Sequence, residues 1–517
     1  MTIVLINFCP GPLWSLKEGG FVRKITEFPK ELPAADPLEG FVRKEYTIQV
    51  ITPFFGGGVE AGNVDPAMPI RPSSIRGHLR FWWRATRGAG YANADEMRQR
   101  EGEIWGSMEN PSAVNLDVHL DQADTPSPCA VYESGGGRNR LRWNQPFSGP
   151  DNPLPYVLFP FQGKDPDSRD GKDPSDMIRM ARFSVRLTYP DSERMKNYRD
   201  IYNSQRKQEN ERRNKENQRK QNGTAQQRGE ALPLLPLLTE NDDDIQRDVE
   251  AAVWAWVNFG GIGARTRRGC GALFCSDLAP PSWDGLARWY SAALEKYQLN
   301  CPVTLPWPTL PEKFLIKNVP NNDAIACWMA SVRIMKEFRQ GQPIGRNPRP
   351  GGGPRPSRSR WPEAESLRTM VYGGGTRPGG IKSADHRMKG ITAFPRVEFG
   401  MPIILEIRGP ENIKPTLQPS DKHDRMASPL LLRPLRFSDT TTVAMIVRLN
   451  TPELKSAWLK PGGSVNRARS ITTSEIRDRR LATYRDSPMT GRSIDGSAVE
   501  AFVTFAEHDQ GFTKVPS

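Results

Sequence analysis

The stretch KEYTIQVIT, residues 44–52, runs straight into Pro53-Phe54-Phe55-Gly56-Gly57-Gly58, and its reading decides the fold. Its side chains alternate and are rich in β-branched and aromatic types, which predicts a half-buried strand. The Pro/Gly run behind it is a loop. Pro72-Ser73-Ser74 then makes a helix start leading into residues 75–87. Residues 115–120 and 181–189 (ARFSVRLTY) read as further strands. Asp242-Asp243-Asp244 opens an amphipathic helix with Ile245, Val249, Val253, Trp256 and Val257 at helical spacing. A Gly/Arg loop over 259–269 and a short strand over 270–275 complete the order. Together they read β-α-β-β-α-β across residues 44–276, the split βαβ pattern of ferredoxin-like domains.

Long loops interrupt this pattern at about 122–180, and a polar insert does so at about 191–240. The insert (SQRKQENERRNKENQRKQNGTAQQRG) has almost no apolar residues and cannot bury a core, so a solvated helix or disorder is expected there. Beyond residue 280 the pattern is weaker. Residues 313–319 suggest a strand and 323–339 an amphipathic helix, with further strands at 402–408 and 440–449. Residues 341–362 form a Pro/Gly/Arg linker. A second αβ domain is expected, with a topology that the pattern leaves open.

Of the 517 residues, 51 are Arg and 21 Lys, against 59 Asp+Glu, for a formal charge of +13. Arginine's planar five-donor fork suits phosphate oxygens and stacks on bases, so the bias points toward nucleic acid. The 45 Gly and 47 Pro predict long irregular loops. Six cysteines lie scattered with no C-x-x-C, which fits reduced, cytoplasmic usage. No apolar run approaches about 18 residues, so no transmembrane helix or membrane partner is expected. The N-terminus lacks a basic n-region and a clean h-region, so secretion is not expected.

Two constellations carry the candidate chemistry. On a helical wheel Arg76, Arg80, Arg84 and Arg87 share one stripe about 80° wide, beside the apolar face of Ile75, Leu79 and Trp82. Like charges stacked at i, i+4 repel, so the stripe needs an anion opposite it. Ser73 and Ser74 at the helix start offer a phosphate site through their backbone N–H groups. The second constellation is F259-G-G-I-G-A-R-T-R-R-G-C-G-A-L273. It is neither a P-loop nor a dinucleotide fingerprint, since the Gly-Lys-Ser/Thr ending is absent and Thr266 stands where a third glycine belongs. Gly261 and Gly263 allow close backbone approach to a ligand. Arg265, Arg267 and Arg268 put three cations where a phosphate backbone would lie.

The loop G-G-I-G-A-R-T-R-R-G-C-G resembles the glycine-rich loop of the RAMP superfamily of CRISPR RNA-binding proteins. P-F-F-G-G-G followed by I-R-P-S-S-I-R-G-H-L-R-F-W-W-R resembles one branch, which supplies the first subunit of Cmr (type III-B) effector complexes. Residues 390–396 (GITAFPR) and 425–430 (RMASPL) are similar to segments of that branch. The resemblance implies an α+β chain of two ferredoxin-like, RRM-like domains with long insertions. Their expected extents are 1–280, with the polar insertion, and 281–517, with the linker. It implies a non-catalytic, cytoplasmic subunit, without cofactor or metal, that holds the 3′ part of the guide RNA and helps capture target RNA in antiviral defence. Its implied neighbour is another RAMP subunit of the ribonucleoprotein. By position Ser73, Ser74, Arg76, Arg80 and Arg84 match the early helix, and Gly261, Gly263, Arg265, Arg267 and Arg268 match the loop. The chain departs from the branch in its polar insert, its linker and the small Cys270.

The rival reading is a metal-independent RAMP endoribonuclease that matures guide RNA. Such an enzyme needs an acid–base pair beside the loop. No His lies within the loop, and His78 falls off the arginine stripe. A third reading is a protein-interaction cap. Asp385-His386-Arg387 reads as an ordinary polar loop, and the linker arginines 346, 349, 355, 358 and 360 as either a solvated tether or an RNA-contacting arm.

Overall fold

The computed structural model describes residues 39–58, 62–108, 110–135, 138–222, 231, 232, 234, 237, 244–348, 359–372, 391–407 and 412–516. The Asp385-His386-Arg387 loop and the linker arginines 349, 355 and 358 lie outside these. Residues 40–517 cluster into one compact unit, an α+β arrangement of several small antiparallel sheets and helices.

The first part contains β1 (Phe41–Val50), α1 (Pro72–Ala85), α2 (Ala94–Trp105), β2 (Asn115–Ala123), β3 (Ala181–Pro190), α3 (Ser192–Asn222), α4 (Ile245–Phe259) and β4 (Leu273–Phe274). Its four strands lie in the spatial order β2-β3-β1-β4, all neighbours antiparallel. The expected strand–helix sequence over 44–276 is therefore present, with the last strand cut to two residues. α5 (Leu286–Lys296) follows and packs Trp289 and Tyr290 on Trp254 of α4.

The second part contains β5 (Phe314–Lys317), α6 (Ala324–Gln340), β6 (Leu430–Arg436), β7 (Thr442–Arg448), α7 (Ala498–Thr504) and β8 (Thr513–Val515). The sheet order is β6-β7-β5-β8, again antiparallel throughout and again with the sequence-first strand third in the row. Of the strands expected at 402–408, only Ile403–Ile404 forms, in a separate small sheet. The Leu430–Arg436 strand escapes the sequence reading because Pro434 sits inside it.

The insert is helical over Ser192–Asn222. Its first turns bury Met195 and Arg199, and past them Glu209 holds Arg212 and Arg213 at i+3 and i+4.

Side-chain alternation sets the first sheet's two faces. Tyr46, Ile48, Val50, Phe183, Val185, Leu187 and Tyr189 point into the core against α1 and α4, while Glu45, Thr47, Arg182 and His119 face solvent. The second sheet has no polar face. Leu315, Leu432, Ala444 and Ile446 pack under α6 and α7. Phe314, Ile316, Leu431, Met445 and Val447 join the first part's core on the other side. α4 lies between the two sheets and is buried all round past Glu250, which is why residues 251–257 (AAVWAWV) are apolar on every face.

Arg433 of β6 is buried in this junction. It donates to the carbonyls of Val257 (3.1 Å) and Gly260 (2.5 Å) at the end of α4, to Leu273 (3.0 Å) and to Pro434 (3.0 Å). A cation at a helix C-terminus satisfies carbonyls that the helix leaves open. Burial pushes this guanidinium down to about 9. Among the described residues no helix is long and apolar enough to cross a membrane.

Candidate nucleic-acid interface

α1 begins at Pro72, whose missing N–H suits the first helical position, after Arg71 in extended backbone. Ser73 and Ser74 are exposed at this end, and no acidic residue occupies the first turn. Ile75, Leu79, Trp82 and Trp83 anchor the helix in the core. Trp83 falls on the edge of the arginine stripe, so the stripe borders packed structure rather than open solvent.

The anions opposite the stripe are largely the chain's own. Glu101 of α2, 4% exposed at its side chain, accepts from Arg80 Nε at 2.6 Å and Arg84 Nη1 at 2.5 Å. Arg76 donates to the Val114 carbonyl (3.1 Å) and to Ser112 Oγ (2.6 Å). Arg87 reaches Asp248 of α4 at 3.2 Å, and Asp248 also accepts from Trp83 Nε1 (3.0 Å) and the buried Arg100 (3.2 Å). These acids sit on other elements, and no spacing rule in the sequence pairs them with α1. The stripe is thus a docking surface for α2 and α4 that keeps Arg80 and Arg84 about one-third exposed.

His78 stacks on Trp256, with ring centroids 6.4 Å apart and planes 12° off parallel. Burial pushes its imidazole down to about 4, so it is neutral near pH 7.

The glycine-rich loop is shaped by its own protein neighbours. The Ala264 N–H donates to the Phe55 carbonyl (2.7 Å) and the Gly271 N–H to the Pro53 carbonyl (3.0 Å), which binds the loop to the Pro53–Gly58 segment. Gly263 has φ 74°, and a Cβ there would lie 2.4 Å from the Phe55 oxygen. Gly269 has φ 87°, and a Cβ there would strike the Trp328 ring at 2.4 Å. Gly261 is buried, and its carbonyl accepts from Trp256 Nε1 at 3.0 Å. At Gly263 and Gly269 the close approach that glycine permits is to the protein's own Phe55 and Trp328. Cys270 is fully buried in the cluster with Phe55 and Trp328, where a small side chain fits.

The loop arginines differ from those of the helix. Arg267 donates to the Ser428 carbonyl and lies 5.3 Å from the Phe81 ring centroid. Arg268 donates to the carbonyls of Leu430 (2.9 Å) and Phe399 (3.3 Å). Arg265, held at φ 58°, lies 5.2 Å over the Phe159 ring. Among the described residues none of the three pairs with a carboxylate. Burial pushes Arg267 down to about 10; burial and then the neighbouring arginines push Arg268 down to about 9. Arg267 also lines a cavity of about 290 Å³ with Glu398, Arg448 and Arg477. Four of the segments quoted above for their resemblance thus meet at one junction, since the loop touches 53–58, α1 and 425–430, and it also reaches Phe399.

A model of the RAMP superfamily matches residues 47–274, which hold α1 and the glycine-rich loop. Within that class the chain is similar to Cmr1 proteins: the CRISPR system Cmr subunit Cmr1-2 of Pyrococcus furiosus is 22% identical over 229 residues, 44% of this chain and 92% of the relative. Two solved structures are similar in part. One is Cmr1 from Pyrococcus furiosus in its apo form, with TM-score 0.41 at 14% identity, covering 85% of this chain and 97% of that one. The other is a chain of a type III-B Cmr-beta complex bound to cognate target RNA, with TM-score 0.41 at 12% identity, covering 85% and 98%.

Proposed function

We propose that the protein is a non-catalytic RNA-binding subunit of a type III-B CRISPR effector, built from two ferredoxin-like units that meet near residue 280. It holds the 3′ part of the guide RNA beside a neighbouring RAMP subunit and helps capture the target in antiviral defence. The observation that carries the reading is the charge difference between its two arginine groups. Three of the four helix arginines are paired with carboxylates of the chain, Arg80 and Arg84 with Glu101 and Arg87 with Asp248, whereas Arg265, Arg267 and Arg268 pair with no carboxylate among the described residues, inside the superfamily-matched region.

The solvent face of the first sheet supports phosphate contact over base stacking. RRM-type platforms stack bases on aromatic side chains. Here the matching positions are Glu45, Thr47, Gln49, Arg182, Ser184 and Arg186, and Phe274 at the sheet edge is covered by Arg436 at 5.1 Å. Contact through phosphates also suits a protein whose sequence specificity is delegated to base pairing.

The test is RNA affinity as a function of salt, since phosphate contacts give a steep negative slope. Arg267→Ala weakens binding about tenfold across all RNA sequences. A flat salt response from the intact protein overturns the reading in favour of a protein-interaction cap. Incubation with repeat RNA in EDTA addresses the endoribonuclease alternative, because site-specific cleavage there would sink the non-catalytic assignment.

A further inference from the structure

Resting on that reading, a more specific site emerges where the loop meets α6. Arg339, near the end of α6, lies 5.6 Å over the Phe399 ring, and Arg268 donates to the carbonyl of that same Phe399. Arg265 lies over Phe159, and Tyr156 belongs to the short helix Pro155–Leu158 just before it. The Arg268 N–H donates to the Arg265 carbonyl at 2.8 Å, so Arg268 stands between the two stacked arginines in the chain of contacts. After burial, Arg265, Arg339 and Arg267 are the like charges that lower Arg268, while Tyr156 acts on both Arg265 and Arg268.

Three buried polar atoms in this small region have no hydrogen-bond partner: Arg265 Nε, Arg339 Nε and Tyr156 OH. Stacking on an aromatic ring satisfies the face of a guanidinium and leaves its N–H edge open. Among the described residues no carboxylate pairs with Arg265, Arg268 or Arg339. Buried polar groups are nearly always satisfied, so these three call for an acceptor or donor that the protein does not supply. Phe159 itself is 57% exposed, so an aromatic ring stands open at the rim.

We propose that Arg265, Arg339 and Tyr156 bind one backbone phosphate of single-stranded RNA, with Arg268 behind them and the Phe159 ring offered to the adjoining base. The two guanidinium forks and the phenol supply donors for the non-bridging oxygens, and a phosphodiester brings the missing negative charge. Arg339 lies outside the superfamily-matched residues 47–274, so the site joins that region to the rest of the chain.

The experiment uses the full chain and a short single-stranded RNA, with affinity measured over a series of KCl concentrations and thermal melting as the check on folding. Arg339→Gln lowers affinity about tenfold and makes the log–log salt slope shallower by about 0.7, the loss of one phosphate contact on a single strand. Arg339→Lys restores the slope, because it keeps the charge. Phe159→Ala weakens binding at least about fivefold, as loss of one base stack does. If Arg339→Gln melts early, Tyr156→Phe takes its place, since it removes only a hydroxyl; about threefold weaker binding is then expected, and unchanged binding overturns the site. Wild-type protein that binds RNA steeply with salt while Arg339→Gln matches it in affinity and slope also overturns the site and leaves the broader reading standing. Wild-type protein that binds no RNA overturns the broader reading. In that case inorganic phosphate decides the site: stabilisation of wild type that Arg339→Gln loses supports an anion site, and no stabilisation removes it.

Discussion

Thr47 on β1 and Met445 on β7 both lie on inner strands, on the face turned away from α1 and α4 in one sheet and from α6 and α7 in the other, and their surroundings are opposite. Thr47 stands on a solvent-facing surface beside Ser184, in a row that continues to His119. Met445 is fully buried against the first part's core. The difference is carried by α4 and α5, which cover the second sheet's outer face and leave the first sheet's bare. One topology therefore serves two ends: a sheet with a free polar face, and a sheet that is wholly interior and holds the molecule together. Of these two sheets only the first keeps an open face.

The strongest way to break this comparison is a matched pair of charges. Met445→Lys buries an unpaired ammonium, at a cost above about 5 kcal/mol, which is comparable to the whole stability of a domain. Loss of cooperative urea unfolding is expected. Thr47→Lys should change stability by less than about 0.5 kcal/mol in the same measurement. Equal effects would mean that the two outer faces are not different environments.

Asp248→Asn ranks next. It removes the carboxylate that Arg87 and buried Arg100 share, and breaking a buried pair from one side costs about 3–5 kcal/mol. The shift of the urea midpoint at constant slope measures it.

The pH dependence from His78 is smaller. Its folded-state value of about 4 lies below the ordinary 6.5, so the folded protein binds fewer protons than the unfolded chain between those values. Its contribution is complete above pH 6.5 and is lost as pH falls through the window to about 4. His78→Phe should flatten that part of the stability profile.

The smallest effect belongs to the first sheet's open face. The exposed pair Glu45–Arg186, at 3.0 Å, is worth less than about 1 kcal/mol, and Glu45→Gln should shift the melt barely, less so in high salt.

The same contrast explains how far the sequence could be read. Residues 44–52 and 181–189 alternate because one face of their sheet is wet, and alternation is the signal that names a strand. LLLRPLR and TVAMIVR in β6 and β7 are buried on both faces and carry no period, so the sheet order could not be inferred, and Pro434 hid the first strand altogether. The site was legible in its residue types and less so in their partners. The arginine stripe of α1 was visible on a wheel, but Glu101 and Asp248, which pair with Arg80, Arg84 and Arg87, lie on separate elements that only the tertiary fold brings opposite. Arg339 and Tyr156 had no motif around them at all; the signal they give is an orphaned polar atom, which exists only once the chain has packed.

The position of α4 and α5 also bears on how the protein is made. Chains emerge from the ribosome N-terminus first, and domains fold as units while synthesis continues. Both helices are complete well before Met445 and Val447 are translated. The most apolar strands of the molecule therefore emerge beside a surface already shaped to receive them. A strand that would be an aggregation hazard if it appeared first is supplied with its cover by the order of translation.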